Sequence, residues 1–290
     1  MDRAPGFERG RVARDESHAG SAAVLPEAAW SSLLARGSAL VVLDYEGTLE
    51  RFVTARRHAR LAPSLARALR RIASSPTDGV VCCSRGPVDA FRAVLSGVEA
   101  HLIGENGWEK CTPEGRKVVY QLPGRARQQL ESAARAAEAC GWGALFVRRR
   151  CSLLIQASRL PLERSELLRK LVARLWSPSF ETDGLRLHLT PEGPELGACE
   201  RDRELAIDEV ARQLWPSATV VHLAIAPTGP DLSARPSSAQ LAGEGAGGYR
   251  VLVQDRRDLV RLLEAWPERR LAASAIARRP GDPLRRDLAS

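Results

Sequence analysis

VVLDYEGT, residues 41–48, is the stretch that decides the fold. A continuous apolar, β-branched run leads into Asp44, and Gly47-Thr48 then turns the chain away. This places the Asp44 carboxylate at the carboxyl end of a buried parallel strand. Open α/β sheets carry their chemistry at that edge. An acid there, with Glu46 two residues on, suits attack on a phosphoryl group and handling of the proton of the leaving oxygen. From the octet alone, a strand ending in a solvated turn is an equally good reading.

Moving outward from that strand, apolar periodicity predicts alternating elements. A short helix around Leu33 and Leu34 precedes the strand at 39–43. An amphipathic helix over 61–72 follows, with Leu65, Leu69 and Ile72 on one face. A strand at 80–83, a helix at 88–95 and a strand at 100–103, ending in the turn Gly-Glu-Asn-Gly, complete the first half. Alternation of this kind predicts a parallel sheet with right-handed crossovers. The pattern then breaks. A long helix at 125–140, strands at 145–155 and 185–189 and a helix at 163–176 predict an inserted cap of mixed α+β type. Beyond Pro191 the first pattern resumes, with a helix at 201–214, a very apolar strand at 219–226, a Gly-rich link, a strand at 249–253 and a helix at 256–266. The expected organisation is therefore a loose tail (1–25), a core (26–121), the cap (122–190), the second half of the core (191–268) and a frayed tail (269–290).

Composition excludes several classes. With 290 residues, 44% hydrophobic and 27% charged, the chain can form one large or two modest cores. Its apolar runs fall well short of the ~20 residues of a membrane span, so no membrane association is expected. The first twenty residues mix Arg with Asp and Glu and lack an apolar stretch, so no targeting peptide is expected and the cytoplasm is the default. Net charge is +8. The only lysines are Lys110, Lys117 and Lys170, and the arginines are scattered along helices rather than set between aromatics, which argues against nucleic acid as a partner. The six cysteines form no C-x-x-C pair and read as thiols of a reducing compartment. The run GEGAGG, residues 243–248, precedes a strand instead of following one, which is wrong for a dinucleotide fingerprint.

VVLDYEGT, DGVVCCSRGPVDAFRAVL (78–95), LIGENGWE (102–109), PEGPELG (191–197) and VVHLAIAPTGPD (220–231) together carry a resemblance. Their order and spacing, over residues 27 to 266, are similar to those of trehalose-6-phosphate phosphatases of the haloacid dehalogenase superfamily. The resemblance implies an α/β fold with a Rossmann-like core, a parallel sheet and an inserted α+β cap. It also implies Mg2+ dependence and hydrolysis of trehalose 6-phosphate to trehalose and phosphate through an aspartyl-phosphate. By the same resemblance Asp44 is the nucleophile, Glu46 stands at the acid/base position, and Ser84 holds a phosphoryl oxygen. Asp44 and the backbone of Glu46 would ligate the metal. Arg85, Arg150 and Arg159 are the substrate-binding candidates.

The departures from the family pattern matter as much. Glu46 replaces an aspartate, adding one methylene where geometry at the ~1 Å level is worth about 10²-fold. Ser84-Arg85-Gly86 stands where the family has Ser-Gly-Arg, and a one-residue slip would put Arg85 in the place of the serine. Leu196 precedes Gly197 where a lysine is expected. Ala224-Ile225-Ala226 and Thr228-Gly229-Pro230 stand where metal-binding acids are expected, with Asp231 the one acid nearby. In the cap, Arg148, Arg150 and Ala157 replace a glutamate, a lysine and a histidine, and Arg159 is retained. With the metal acids and the lysine gone, a pairing of Arg85 with Asp44 is one way to fill the gap. The expectation is a weakly active or inactive relative. The alternative is a non-catalytic pseudophosphatase that binds a sugar phosphate or a partner such as a trehalose-phosphate synthase.

Overall fold

The computed structural model describes residues 23–24, 37–54, 60–180, 184–190, 192–225, 240–245 and 248–277. The expected helix at Leu33-Leu34 and most of the two expected tails lie outside these residues. In chain order the elements are β1 (Ala23–Val24), β2 (Ser38–Asp44), β3 (Val53–Thr54), β4 (Arg60–Leu61), α1 (Pro63–Ala73), β5 (Asp78–Cys83), α2 (Val88–Arg92), β6 (His101–Gly104), β7 (Glu109–Cys111), β8 (Lys117–Val119) and α3 (Gly124–Ala139). There follow β9 (Phe146–Arg148), β10 (Ser152–Ile155), α4 (Leu162–Phe180), β11 (Leu185–Leu189), β12 (Pro194–Ala198), α5 (Arg203–Leu214), β13 (Ala218–Ile225), β14 (Gln240–Gly245), β15 (Gly248–Val253) and α6 (Arg256–Ala277).

A nine-stranded sheet in the order β1-β14-β15-β13-β2-β5-β6-β7-β8 forms the larger layer. Its centre, β15-β13-β2-β5-β6, is parallel, as the alternation of strands and helices requires. β2 lies in the middle and is apolar on both faces because each face is covered. One parity of its residues, with Val41 and Leu43, packs in the core that includes Leu65 and Leu69 of α1 and Leu259 and Leu263 of α6. The other, with Leu40 and Val42, packs against Ala206, Ile207 and Val210 of α5. Asp44 shares the second parity, so its carboxylate emerges on the α5 side at the carboxyl edge.

A four-stranded antiparallel sheet, β11-β12-β10-β9, carries α3 and α4 over a separate apolar core that contains Leu153, Val172 and Trp176. It includes β12, a segment that the sequence reading gave to the return into the larger sheet. The Pro and Gly residues of PEGPELG suggest a turn, yet only Gly193 requires one. A Cβ there would lie 1.8 Å from the Ile155 carbonyl oxygen.

Three further expectations need correction. Ala23–Val24, placed in the loose tail, pairs antiparallel with β14. β14 occupies what reads as a Gly-rich link, where glycines hide the strand signal. α6 runs on to Ala277 with Pro267 inside it, past the expected end at 266. Its inner turns are held by Arg270, buried against Asp78, whose carboxylate also accepts from the indole N–H of Trp266.

Candidate functional site

The site is built on the turn that follows β2. The Tyr45 N–H donates to the Cys83 carbonyl at 2.7 Å, extending the ladder one residue beyond Asp44. Gly47 then adopts a φ of +76°, and its N–H donates to Glu50 Oε1 at 2.6 Å. A left-handed residue at this point folds the chain back sharply just after Glu46.

Opposite Asp44 stands Arg203, the first residue of α5. Its Nη1 donates to Asp44 Oδ1 at 2.7 Å, and its Nε and Nη2 donate to Glu204 Oε1 at 3.1 and 2.8 Å. Burial works most strongly against the guanidinium charge, but Asp44, Cys83 and Glu204 together outweigh it and hold the arginine above its usual range. The start of α5 is fixed from two sides. Asp202 caps it, accepting from the Leu205 N–H at 2.7 Å. Gly107, at φ +100°, lets the Asp202 carbonyl approach so closely that a Cβ would lie 2.2 Å from it. Arg201 stacks 3.5 Å over the Tyr120 ring and reaches Glu209 at 2.6 Å, tying the same segment to the edge of the larger sheet. His222 of β13 stands behind this pair with its Nε2 3.7 Å from Glu204. Burial lowers its pKa.

The second part of the site is the loop after β5. Ser84 donates its backbone N–H to the Ile103 carbonyl at 2.8 Å, and the N–H groups of Glu105 and Asn106 return to Gly86 and Ser84 at 2.9 and 3.3 Å. Glu105 and Asn106 hold positive φ values of 50° and 53° to make this interlock. The Ser84 hydroxyl oxygen accepts from the Gly86 N–H at 3.0 Å and donates to Glu46 Oε1 at 2.8 Å. The Arg85 N–H donates to that same carboxylate oxygen at 3.1 Å.

The side chain of Arg85 goes elsewhere. It pairs with Glu192 and lies 3.9 Å from Glu195, both in the segment that carries β12. The pairing with Asp44 expected from sequence is therefore not formed, because one carboxylate of β12 and one just before it hold the guanidinium. Glu195 is buried and also accepts from Arg149 Nη1 and from the Ser152 hydroxyl, each at 2.6 Å. The Cys151 thiol donates to Glu105 across the same junction. Burial raises the pKa of Glu105 and pushes the Cys151 thiol well above its ordinary value.

The structure thus brings Asp44, Glu46, Ser84 and the Arg85 backbone to one edge. It leaves Arg150 and Arg159 exposed, and no hydrogen bond or ion pair among the described residues joins either to Asp44, Glu46 or Ser84. Arg149, not Arg150, is the inward-facing member of the arginine run. Arg203 was not expected from sequence. The signal was an arginine directly after a helix-capping aspartate, near the start of the helix expected at 201–214.

A divalent cation fits this donor set poorly. Hard cations take six or more oxygen ligands. Here one oxygen of Asp44 is bonded to a guanidinium, and Glu46 is committed to two donors. The end of β13 offers Ala224 and Ile225, the latter buried in the apolar core. Ala226, Thr228, Gly229, Pro230 and Asp231 lie outside the described residues. Among the described residues no three His, Cys, Asp or Glu side chains are grouped to hold a metal.

No protein-family profile matches the sequence, and no curated protein matches it. Solved structures do match. The C-terminal domain of C. albicans trehalose-6-phosphate phosphatase superposes with a TM-score of 0.60 at 12% identity, covering 85% of this chain and 98% of that one. The C-terminal domain of the Candida albicans trehalose synthase regulatory protein gives a TM-score of 0.60 at 12% identity, covering 84% of this chain and all of that one. A haloacid dehalogenase-like hydrolase from B. subtilis gives 0.51 at 12% identity, covering 78% and 98%. The fold is the one these structures share: a Rossmann-like α/β core with a mainly parallel sheet and an inserted α+β cap.

Proposed function

We propose that this chain is a divergent member of the trehalose-6-phosphate phosphatase family whose hydrolytic site is impaired. The family reaction releases phosphate from trehalose 6-phosphate through an aspartyl-phosphate. In this chain Asp44 is the residue that would attack, Glu46 the one that would move the proton, and Ser84 the one that would hold a phosphoryl oxygen. The observation that carries the reading is the ion pair between Asp44 and Arg203. The guanidinium takes one Asp44 oxygen, the one that would hold a metal ion while the other attacks phosphorus, and puts a shared organic cation in the place of a divalent one.

Charge balance points the same way. A phosphate dianion within ~4 Å of a carboxylate costs on the order of 4 kcal/mol per charge pair at an effective dielectric of ~20. Catalysis of phosphoryl transfer is mostly charge stabilisation and positioning by cations. Arg203 is one such cation, but it is shared with Asp44 and Glu204, and Arg85 is held by Glu192. The Mg2+ implied by the family has a poor set of ligands among the described residues. The reaction is therefore slow or absent.

A second reading is a non-catalytic protein of trehalose metabolism that binds a sugar phosphate or a trehalose-phosphate synthase. The ion pairs from Arg85 to Glu192 and Glu195 favour it, since they tie the loop after β5 to the smaller sheet. It is also supported by the equal TM-scores to a trehalose-6-phosphate phosphatase and to a trehalose synthase regulatory protein. No helix among the described residues is long and apolar enough to cross a membrane, and a cytoplasmic location accords with the free cysteines.

The deciding experiment is phosphate release from trehalose 6-phosphate with Mg2+, run beside Asp44→Asn. The expected result is the same background rate from both proteins. Release that is lost in Asp44→Asn would establish an active phosphatase.

A further inference from the structure

We infer that Glu46 is an internal occupant of the oxyanion cradle formed by the Ser84 hydroxyl and the Arg85 amide, and that its length decides whether this site accepts an external oxyanion. The inference rests on the reading above that the edge beside Asp44 is a phosphate site, and it adds the residue that closes that site. Three contacts support it. The Gly86 N–H donates to Ser84 Oγ at 3.0 Å, which uses an acceptor position of the hydroxyl and leaves its proton to point away. That proton goes to Glu46 Oε1 at 2.8 Å, and the Arg85 N–H meets the same oxygen at 3.1 Å. Two donors converging on one anionic oxygen is the arrangement used to hold a phosphoryl or tetrahedral oxyanion. Here the oxygen belongs to the chain itself.

The reach of the side chain explains why. Glu46 lies two residues after Asp44, just before the sharp Gly47 turn, and Ser84 follows the neighbouring strand, where Asp44 pairs with Cys83. An aspartate at position 46 would end about 1.5 Å short of the present carboxylate, one carbon–carbon bond. The extra methylene carries the carboxylate into the cradle. Two charge-assisted hydrogen bonds, formed within one chain and without loss of translational freedom, outcompete a free anion for the same donors.

The test measures binding of tungstate or inorganic phosphate by calorimetry, without metal, to the wild-type chain and its variants. Glu46→Ala vacates the cradle, and binding about tenfold tighter than wild type or more is expected. Glu46→Gln keeps an acceptor oxygen of the same reach, so it stays close to wild type. This separates occupancy from a mere loss of negative charge. Ser84→Ala in the Glu46→Ala background returns binding to the wild-type level. If Glu46→Ala does not fold, Glu46→Asp carries the test, with binding again tighter than wild type. Equal binding by wild type and the shortened variants, or equal binding by Glu46→Gln and Glu46→Ala, overturns the inference. Phosphate release by the wild-type chain would overturn the hydrolytically silent reading and leave these binding comparisons standing.

Discussion

Replacing Arg203 with alanine should cost stability through its ion pair with Asp44, and the cost can be worked from the geometry. The pair spans 2.7 Å between Nη1 and Oδ1, with side chains 36% and 27% exposed. Unit charges about 4 Å apart attract by roughly 4 kcal/mol at an effective dielectric of ~20, and by about 1 kcal/mol in water. Exposure of about a third of each side chain draws the value toward the lower figure. A coupling of about 1–2 kcal/mol is therefore expected. Arg203 also donates to Glu204, so the loss in Arg203→Ala alone exceeds the coupling. A double-mutant cycle removes that excess. Urea unfolding of the wild type, Arg203→Ala, Asp44→Asn and the double variant gives the pairwise energy directly. A coupling within about 0.5 kcal/mol of zero, the scatter of independent sites, would refute the assignment of Arg203 as the counter-ion of Asp44.

Three further outcomes are expected. Asp78→Ala strips the acceptor from the buried Arg270, from the Trp266 indole and from the Ala39 N–H, and should lower unfolding free energy by about 3–5 kcal/mol in urea. Leu196→Lys, which on sequence grounds would restore a missing catalytic cation, instead buries a charge in the core of the smaller sheet. It should cost about 3–5 kcal/mol and restore no phosphate release. His101 and His222 have pKa values lowered by burial, that of His222 also by Arg203 and Arg250. The unfolded chain, titrating near ~6.5, then holds more protons, so stability is full above that pH and falls as pH drops through the folded-state values. Melting temperatures recorded between about pH 8 and pH 5 should show a steeper acid slope for the wild type than for His222→Asn.

The parallel centre of the sheet was legible because β2, β5 and β6 are buried on both faces and read as apolar runs, and β13 and β15 carry apolar runs broken by His222 and by the exposed Arg250. The edge strands were not. β7 and β8 are three residues long and carry Lys110 and Lys117, and β14 is rich in glycine, so neither length nor alternation marks them. Pro267 reads as a helix stop, yet α6 passes through it because its next turn is anchored by Arg270 on the buried Asp78.

The site divided along similar lines. Asp44, Glu46 and Ser84 could be singled out from sequence because they lie at or just past the ends of strands whose register is set by burial. Their partners were not, because hydrogen bonds that span 159 residues, as from Arg203 to Asp44, or 107, as from Arg85 to Glu192, leave no local pattern. A reading confined to neighbouring residues assigned the counter-ion role to Arg85, the nearest arginine in the next loop. The structure gives it to Arg203, which α5 brings to the same edge.

Calorimetric titration of Mg2+ into the wild-type chain, with Asp44→Asn beside it, tests most directly whether a guanidinium has taken the place of the metal at this carboxylate. No saturable heat at millimolar Mg2+ in either protein is the expected result. Saturable binding by the wild type that disappears in Asp44→Asn would contradict it.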